Sequence, residues 1–117
     1  MWGRVDHVDE VVILALVGEF DLVAAAAFAA AMIEIEATHP RVIVVNLQGL
    51  AFMDSTGVNG LVKAHERAAG KHGFAVLNGS GPAHRTLTLV GLDRYLLMID
   101  DPSQLPDGAE TPASASS

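Results

Sequence analysis

The sequence predicts one α/β domain, in which parallel strands form a sheet that helices cover. Segments with the apolar patterns of strands and of helices alternate along the chain, and such alternation is typical of parallel sheets. The chain has 117 residues, the size of a single domain, and half of its residues are apolar, which is enough for one core.

The first two strands are predicted near the start of the chain. Residues 11–17 (VVILALV) form a continuous run of mostly branched apolar residues, as expected of a strand buried on both faces. Residues 4–8 are a candidate edge strand before it, with Asp9 and Glu10 at the turn. Residues 18–21 (GEFD) break the apolar run, so we expect this strand to end near residue 17.

The first helix is predicted over the alanine-rich residues 22–37, with Asp21 as its N-cap. A loop containing Pro40 leads to the second core strand, residues 41–47 (RVIVVNL), which a short segment, residues 48–53, follows. The face of the helix that should pack on the sheet is formed by Phe28, Met32 and Ile35.

A second helix is predicted over residues 58–70, ending where glycine permits a left-handed cap, and a third strand over residues 74–77. Pro82, a residue favoured in the first helical turn, is expected to open the last helix after a turn at residues 78–81. Val58, Leu61, Val62 and His65 share one face of the first of these helices, and Ala83, Leu87 and Val90 recur at i, i+4 and i+7 along the second.

The last helix should end at Gly91 as its C-cap, with Leu92 folding back onto the core. Residues 95–99 are then the final strand, so that residues 1–100 form the domain. Residues 101–117 are rich in proline, serine, alanine and acidic residues, and we expect them to be a disordered tail.

Composition excludes several classes of function. The net charge is -7, and the seven lysines and arginines are scattered, so neither nucleic acid nor an anionic membrane is expected as a partner. The absence of cysteine excludes disulfides, thiolate catalysis and cysteine-ligated zinc. Without a signal peptide or an apolar stretch long enough to span a bilayer, we expect a cytoplasmic monomer that needs no metal or cofactor.

The most informative segment is Asp54-Ser55-Thr56-Gly57, between a strand and an apolar-faced helix. The first N–H groups of a helix have no internal partner and carry partial positive charge, so a phosphate on a hydroxyl is tolerated there. Such a phosphate adds about -1.5 to -2 charges, enough to prevent a partner from docking. The alternative is that these residues only cap the helix.

Residues 42–61 (VIVVNLQGLAFMDSTGVNGL) resemble the central signature of the STAS domain family (sulphate transporter and anti-sigma factor antagonist). That signature joins a hydrophobic strand to Asp-Ser-Ser/Thr-Gly and a helix. Residues 18–21 (GEFD) resemble the second hallmark, Gly-Glu-Leu/Ile-Asp, and residues 82–97 resemble the last helix of the family. The resemblance spans residues 11–99 and implies a STAS-type fold, with a mixed sheet of four to five strands and three to four helices.

The resemblance also implies a function. Single-domain members with this motif are anti-sigma factor antagonists rather than enzymes. In the unphosphorylated form they bind an anti-sigma factor, a serine kinase of the histidine-kinase-like ATPase fold, and thereby free the sigma factor. The kinase then phosphorylates the first serine of the motif, here Ser55, and a serine phosphatase restores binding. The implied partner-binding residues are Asp21, Asp54, Ser55, Thr56, Gly57, Val58 and Asn59.

Two features depart from the family pattern. Asn59 stands where the family usually has glycine, and Gly60 stands where it has a larger apolar residue. Gly57 and Gly60 in the first turns of a helix cost about 1 kcal/mol each relative to alanine, so this end of the helix is expected to be looser. Asn46 replaces an aspartate of many relatives, which removes a negative charge that we expect near the site.

Other readings of the same residues are weaker. Asp54-Ser55-Thr56-Gly57 has one residue too many for the Asp-Thr/Ser-Gly of aspartic proteases, and those proteases are all-β. A response-regulator receiver needs an acidic pair where Gly18 and Glu19 stand. A Ser-His-Asp triad with His84 is not supported, because the sequence has no Gly-x-Ser-x-Gly elbow. The five histidines lack the spacings of metal ligands, so we expect them on the surface or in loops.

The serious alternative lies within the same family. Some STAS domains are constitutive subunits of lipid-transport ABC systems or of stress-sensing complexes, where they bind a partner without being phosphorylated. The complete Asp-Ser-Thr-Gly motif and the short chain favour the phosphorylated switch.

Overall fold

The computed structural model describes residues 2–77 and 81–100, which form a five-stranded mixed sheet and three α-helices. The strand order is β1-β2-β3-β4-β5; β1 is antiparallel to β2, and all other neighbours are parallel. The predicted α/β fold is confirmed. In chain order the elements are β1 (Trp2–Val8), β2 (Val11–Phe20), α1 (Leu22–Glu36), β3 (Val42–Met53), α2 (Ser55–Ala68), β4 (Gly73–Leu77), α3 (Pro82–Leu89), a 3₁₀ turn (Leu92–Arg94) and β5 (Leu97–Ile99).

The main core lies between the helices and one face of the sheet. All three helices contribute buried residues to it, among them Phe28, Met32, Leu61 and Leu87. A smaller cluster on the opposite face consists of strand residues, namely Val42, Val44, Ala75, Leu77 and Ile99. No described helix takes part in that second cluster, and none is both long and apolar enough to cross a membrane.

The position of the helices determines which face of β2 is fully buried. Side chains alternate between the two faces of a strand, and here Val12, Leu14 and Leu16 are buried in the main core. Val11 and Ile13 face the other side and are only half-buried. The prediction of a strand buried on both faces therefore holds in full for one face only, because the described helices cover only that face.

The two central strands are longer than predicted. β2 continues to Phe20 rather than ending near residue 17, and β3 continues to Met53 rather than ending at residue 47. Between them lie register shifts at Ala15/Val17 and at Gly18/Glu19, which place extra residues of β3 against β2. These β-bulges interrupt the apolar alternation in the sequence while the strands stay paired.

The C-terminal part of the domain follows most of its predicted pattern. Ala83 and Leu87 are buried, Gly91 has a φ of 80°, and Leu92 packs against the core as expected. Val90, expected on the same face as Ala83 and Leu87, is 56% exposed. It is itself the C-cap of α3, so Gly91 lies one residue beyond the cap rather than at it. The final strand begins at residue 97 rather than 95, after the 3₁₀ turn. Most of the turn predicted at 78–81 and the whole predicted tail lie outside the described residues.

Two of the five histidines are buried. The prediction that all lie on the surface or in loops was wrong for His65, which lies within α2, whereas His72 lies in the loop before β4. His65 is 2% exposed and His72 is 9% exposed. His65 follows Leu61 by one helical turn on the core face of α2, and its ring lies 4.7 Å from that of Tyr95 and 6.2 Å from that of Phe74. Burial lowers the pKa of His65, an effect that the nearby Glu66 opposes.

Lowering the pH below the ordinary histidine pKa of 6.5 is therefore expected to destabilise the domain. The unfolded chain takes up a proton near pH 6.5, whereas folded His65 and His72 resist it, so stability is complete above that pH and is lost below it. In urea unfolding between about pH 7.5 and 5.5, His65→Leu should flatten this loss. The exposed His7, replaced by glutamine, serves as the control. An equal slope in His65→Leu and wild type would contradict the explanation.

Candidate functional site

The candidate site lies at the edge of the sheet where β2 and β3 end. Phe20 and Met53 are paired as the last residues of these parallel strands, and the Asp54 N–H donates to the Phe20 carbonyl at 3.3 Å. The Thr86 hydroxyl of α3 donates to the Met53 carbonyl at 3.3 Å. The two predicted hallmarks, with Asp21 after one strand and Asp54 after the other, therefore stand on adjacent loops.

Both aspartates are helix N-caps, as predicted for Asp21 and allowed for Asp54. Asp21 Oδ1 accepts from the Ala24 N–H at 3.0 Å at the start of α1. Asp54 Oδ1 accepts from the N–H groups of Thr56 at 2.9 Å and Gly57 at 3.3 Å, and also from the Thr56 hydroxyl. That hydroxyl, followed by the two N–H groups, lowers the pKa of Asp54 although partial burial opposes it. Asp54 is thus held as a carboxylate within its own loop.

Ser55 is the first residue of α2, and its side chain is exposed. No described residue forms a hydrogen bond with its hydroxyl, since Asp54 binds Thr56 and Gly57 instead. The hydroxyl therefore lies free in solvent at the positive end of a 14-residue helix. This is the geometry that an accessible phosphate acceptor requires.

The remaining predicted partner-binding residues divide into two groups. Asn59 is exposed and Thr56 is half-buried one turn before it, so both border the surface of α2. Gly57 is buried, and Val58 is half-buried against the core. These two position the helix on the domain rather than present a surface.

Gly57 is where α2 makes its closest approach to the sheet. A Cβ atom there would lie 2.8 Å from Met53 Cγ, 2.9 Å from Phe20 Cγ and 3.0 Å from the Phe20 carbonyl oxygen. Real Cβ atoms do not come so close, so only glycine fits. The expectation that this glycine loosens the helix does not hold at Gly57, because it allows close packing.

Exposed apolar side chains beside the site were missed by the sequence analysis. Leu22 is 72% exposed and Val23 is 83% exposed in the first turn of α1, directly after Asp21. Phe52, next to the end of β3, is 46% exposed and pairs across the sheet with Glu19. All three lie within two residues of Asp21 or Asp54, the aspartates of the two hallmarks. In the sequence, the feature that could have identified them was their position directly next to the two hallmark motifs.

Asn46 lies in the middle of β3, paired with Ala15 and Leu77. Its Oδ1 accepts from the Gln48 N–H at 2.9 Å, a local bond within the irregular part of the strand. Asn46 thus lies within β3, seven residues before the strand ends at Met53. Within residues 2–77 and 81–100, no three His, Asp or Glu side chains are grouped so as to hold a metal ion.

Comparison with known proteins places this geometry in a family. The STAS domain family model matches residues 4–104. Anti-sigma-F factor antagonist RsfB of Mycobacterium tuberculosis is 33% identical over 89 residues, which cover 76% of this chain and 72% of the relative. A crystal structure of an anti-sigma factor antagonist from Mycobacterium paratuberculosis has a TM-score of 0.79 at 29% identity, covering 92% of this chain and 89% of that chain.

SpoIIAA, an anti-sigma factor antagonist solved in its unphosphorylated form, is also similar. Its TM-score is 0.62 at 26% identity, over 88% of this chain and 92% of that chain. The family match includes every strand from β2 to β5, all three helices and both hallmark loops. The chain therefore belongs to the STAS domain family.

Proposed function

We propose that this chain is an anti-sigma factor antagonist, which binds an anti-sigma factor and so frees a sigma factor. The observation that carries the proposal is the exposed Ser55 hydroxyl at the start of α2, on an edge with the exposed apolar side chains of Leu22, Val23 and Phe52. Relatives named as anti-sigma factor antagonists match the chain over most of its length. In this proposal the chain acts as a cytoplasmic regulatory protein, monomeric when free, and not as an enzyme.

Phosphorylation of Ser55 is the proposed switch. The anti-sigma factor, a serine kinase of the histidine-kinase-like ATPase fold, transfers the γ-phosphate of ATP to Ser55 Oγ and releases ADP and the hydroxyl proton. The first N–H groups of α2 favour a phosphate, so the modified protein stays folded while its docking surface gains about -1.5 to -2 charges. A serine phosphatase then hydrolyses the phosphate. SpoIIAA has been solved in both unphosphorylated and phosphorylated forms, which supports such a cycle.

The proposal predicts one phosphate per chain after incubation with ATP, Mg²⁺ and the correct anti-sigma factor. Each anti-sigma kinase encoded in the same genome is tested in turn, and the intact mass of the product is measured. Ser55→Ala should abolish the gain in mass, whereas Thr56→Ala, which removes the neighbouring hydroxyl, should still be modified. Phosphorylation of Ser55→Ala would overturn the assignment of the site. Tight binding without any phosphate would instead indicate a constitutive scaffold.

A further inference from the structure

A groove of about 220 Å³ lies between α1 and α2 and begins beside the candidate site. Leu22 and Thr56, from the first turns of the two helices, line one end, and Lys63 lines the other. Pockets that hold small molecules usually measure roughly 300–1,000 Å³. The groove is therefore too small for a typical ligand and has the size for a side chain supplied by another protein.

Small residues on facing helices create this groove. Ala25 and Ala29 line it from α1, and Gly60 lines it from α2. Beneath them lies the buried ring of Phe28, close to Gly60; a Cβ at position 60 would lie 3.5 Å from Phe28 Cδ2. The groove thus exists because its walls are small residues, and a larger residue at position 60 would fill part of it.

The far end of the groove carries positive charge. Arg67 is neutralised by Glu36, whose carboxylate lies 3.2 Å from its Nε. Lys63 is exposed, and no carboxylate of the described residues lies within 4.0 Å of its amine. In a chain of net charge -7, this lysine is a local site for an acidic group, roughly 12 Å along the helix axis from Ser55.

We propose that the groove receives one apolar side chain of the anti-sigma factor, and that a neighbouring carboxylate of the same segment pairs with Lys63. This inference rests on the proposed function and extends the docking surface from Ser55 along α1 and α2. The apolar residue would pack between Ala25 and Ala29 of α1 and Gly60 of α2, and the carboxylate would match the charge of Lys63. Fit in the groove and charge at its end would together select the partner.

Filling the groove tests the proposal. Each anti-sigma factor of the genome is titrated by calorimetry against wild type, Ala29→Leu and Ala30→Leu. Ala29→Leu fills the groove and should weaken binding about tenfold or more. Ala30→Leu adds the same side chain to an exposed position of α1 outside the groove and should bind as wild type does. Thermal unfolding of both variants verifies the fold.

Charge reversal provides a second test that leaves the core untouched. Lys63→Glu should weaken binding about fivefold or more, and raising the salt concentration should reduce this difference. Lys71→Glu, an exposed lysine away from the groove, should have no effect. If Ser55→Asp abolishes binding but both groove variants bind as wild type does, the groove proposal is wrong and the proposed function stands. If no anti-sigma factor binds the wild type, both are wrong.

Discussion

Replacing Ser55 with aspartate is expected to weaken binding of the anti-sigma factor by about 30-fold or more. A partner that covers the start of α2 would have to bury the new carboxylate without a counter-charge, and an unpaired charge in an interface costs about 2–5 kcal/mol. The domain itself should stay folded, because Ser55 is exposed and a negative charge is favourable at the N-terminus of a helix. Calorimetric titration measures the affinity, and circular dichroism verifies the fold.

Asparagine at the same position separates charge from size. Ser55→Asn has nearly the shape of Ser55→Asp but no charge, so it should keep most of the wild-type affinity. Ser55→Ala should bind as wild type does, because it adds neither charge nor bulk. Equal loss of binding in the aspartate and asparagine variants would show that steric fit, and not charge, controls the interface.

Local sequence chemistry was sufficient to locate most elements and the caps of the first two helices. Asp21 and Asp54 cap their helices because capping depends on residues within one turn, so it can be predicted from neighbours in the sequence. The faces of the helices followed from apolar spacing in the same way, as for Phe28 and Met32. The choice of Ser55 came from the resemblance of residues 54–57 to the STAS signature, because local chemistry left open that these residues only cap the helix.

Features that depend on pairing between distant segments could not be predicted. The extension of β2 to Phe20 and of β3 to Met53 arises from β-bulges, whose positions are set by the partner strand. Leu22 and Phe52 are apolar residues of the kind usually buried in a core. Only the folded arrangement of the strand and helix ends shows that they are exposed. His65 was expected on the surface because it is polar, although its spacing puts it on the helix face of Leu61, and the fold buries it.

The two glycines of α2 illustrate the same limit. From the sequence, Gly57 and Gly60 carry an equal propensity cost in a helix. In the fold they differ, because a Cβ at Gly57 would lie 2.8 Å from Met53 Cγ, whereas at Gly60 the nearest atom, Phe20 Cζ, would be 3.4 Å away. The same substitution should therefore have opposite effects at the two positions.

Gly57→Ala is expected to destabilise the domain, since overpacking costs about 1–3 kcal/mol and the methyl would also press on the backbone oxygen of Phe20. The gain in helix propensity of about 1 kcal/mol offsets only part of this cost. Gly60→Ala obtains the same gain with little clash, so it should be more stable than wild type by up to about 1 kcal/mol. Urea unfolding at neutral pH measures both free energies.

The sign of the difference between these variants is the decisive result. In a domain of this size, about 1 kcal/mol corresponds to a shift of roughly 4–8 °C in Tm, so the two variants should be clearly separated in thermal unfolding. If Gly57→Ala were as stable as Gly60→Ala, the contact of α2 with Phe20 and Met53 would not be tight in solution. Ser55 would then stand on a helix end free to move, and the packing at Gly57 would not explain how its hydroxyl is held at the edge of the sheet.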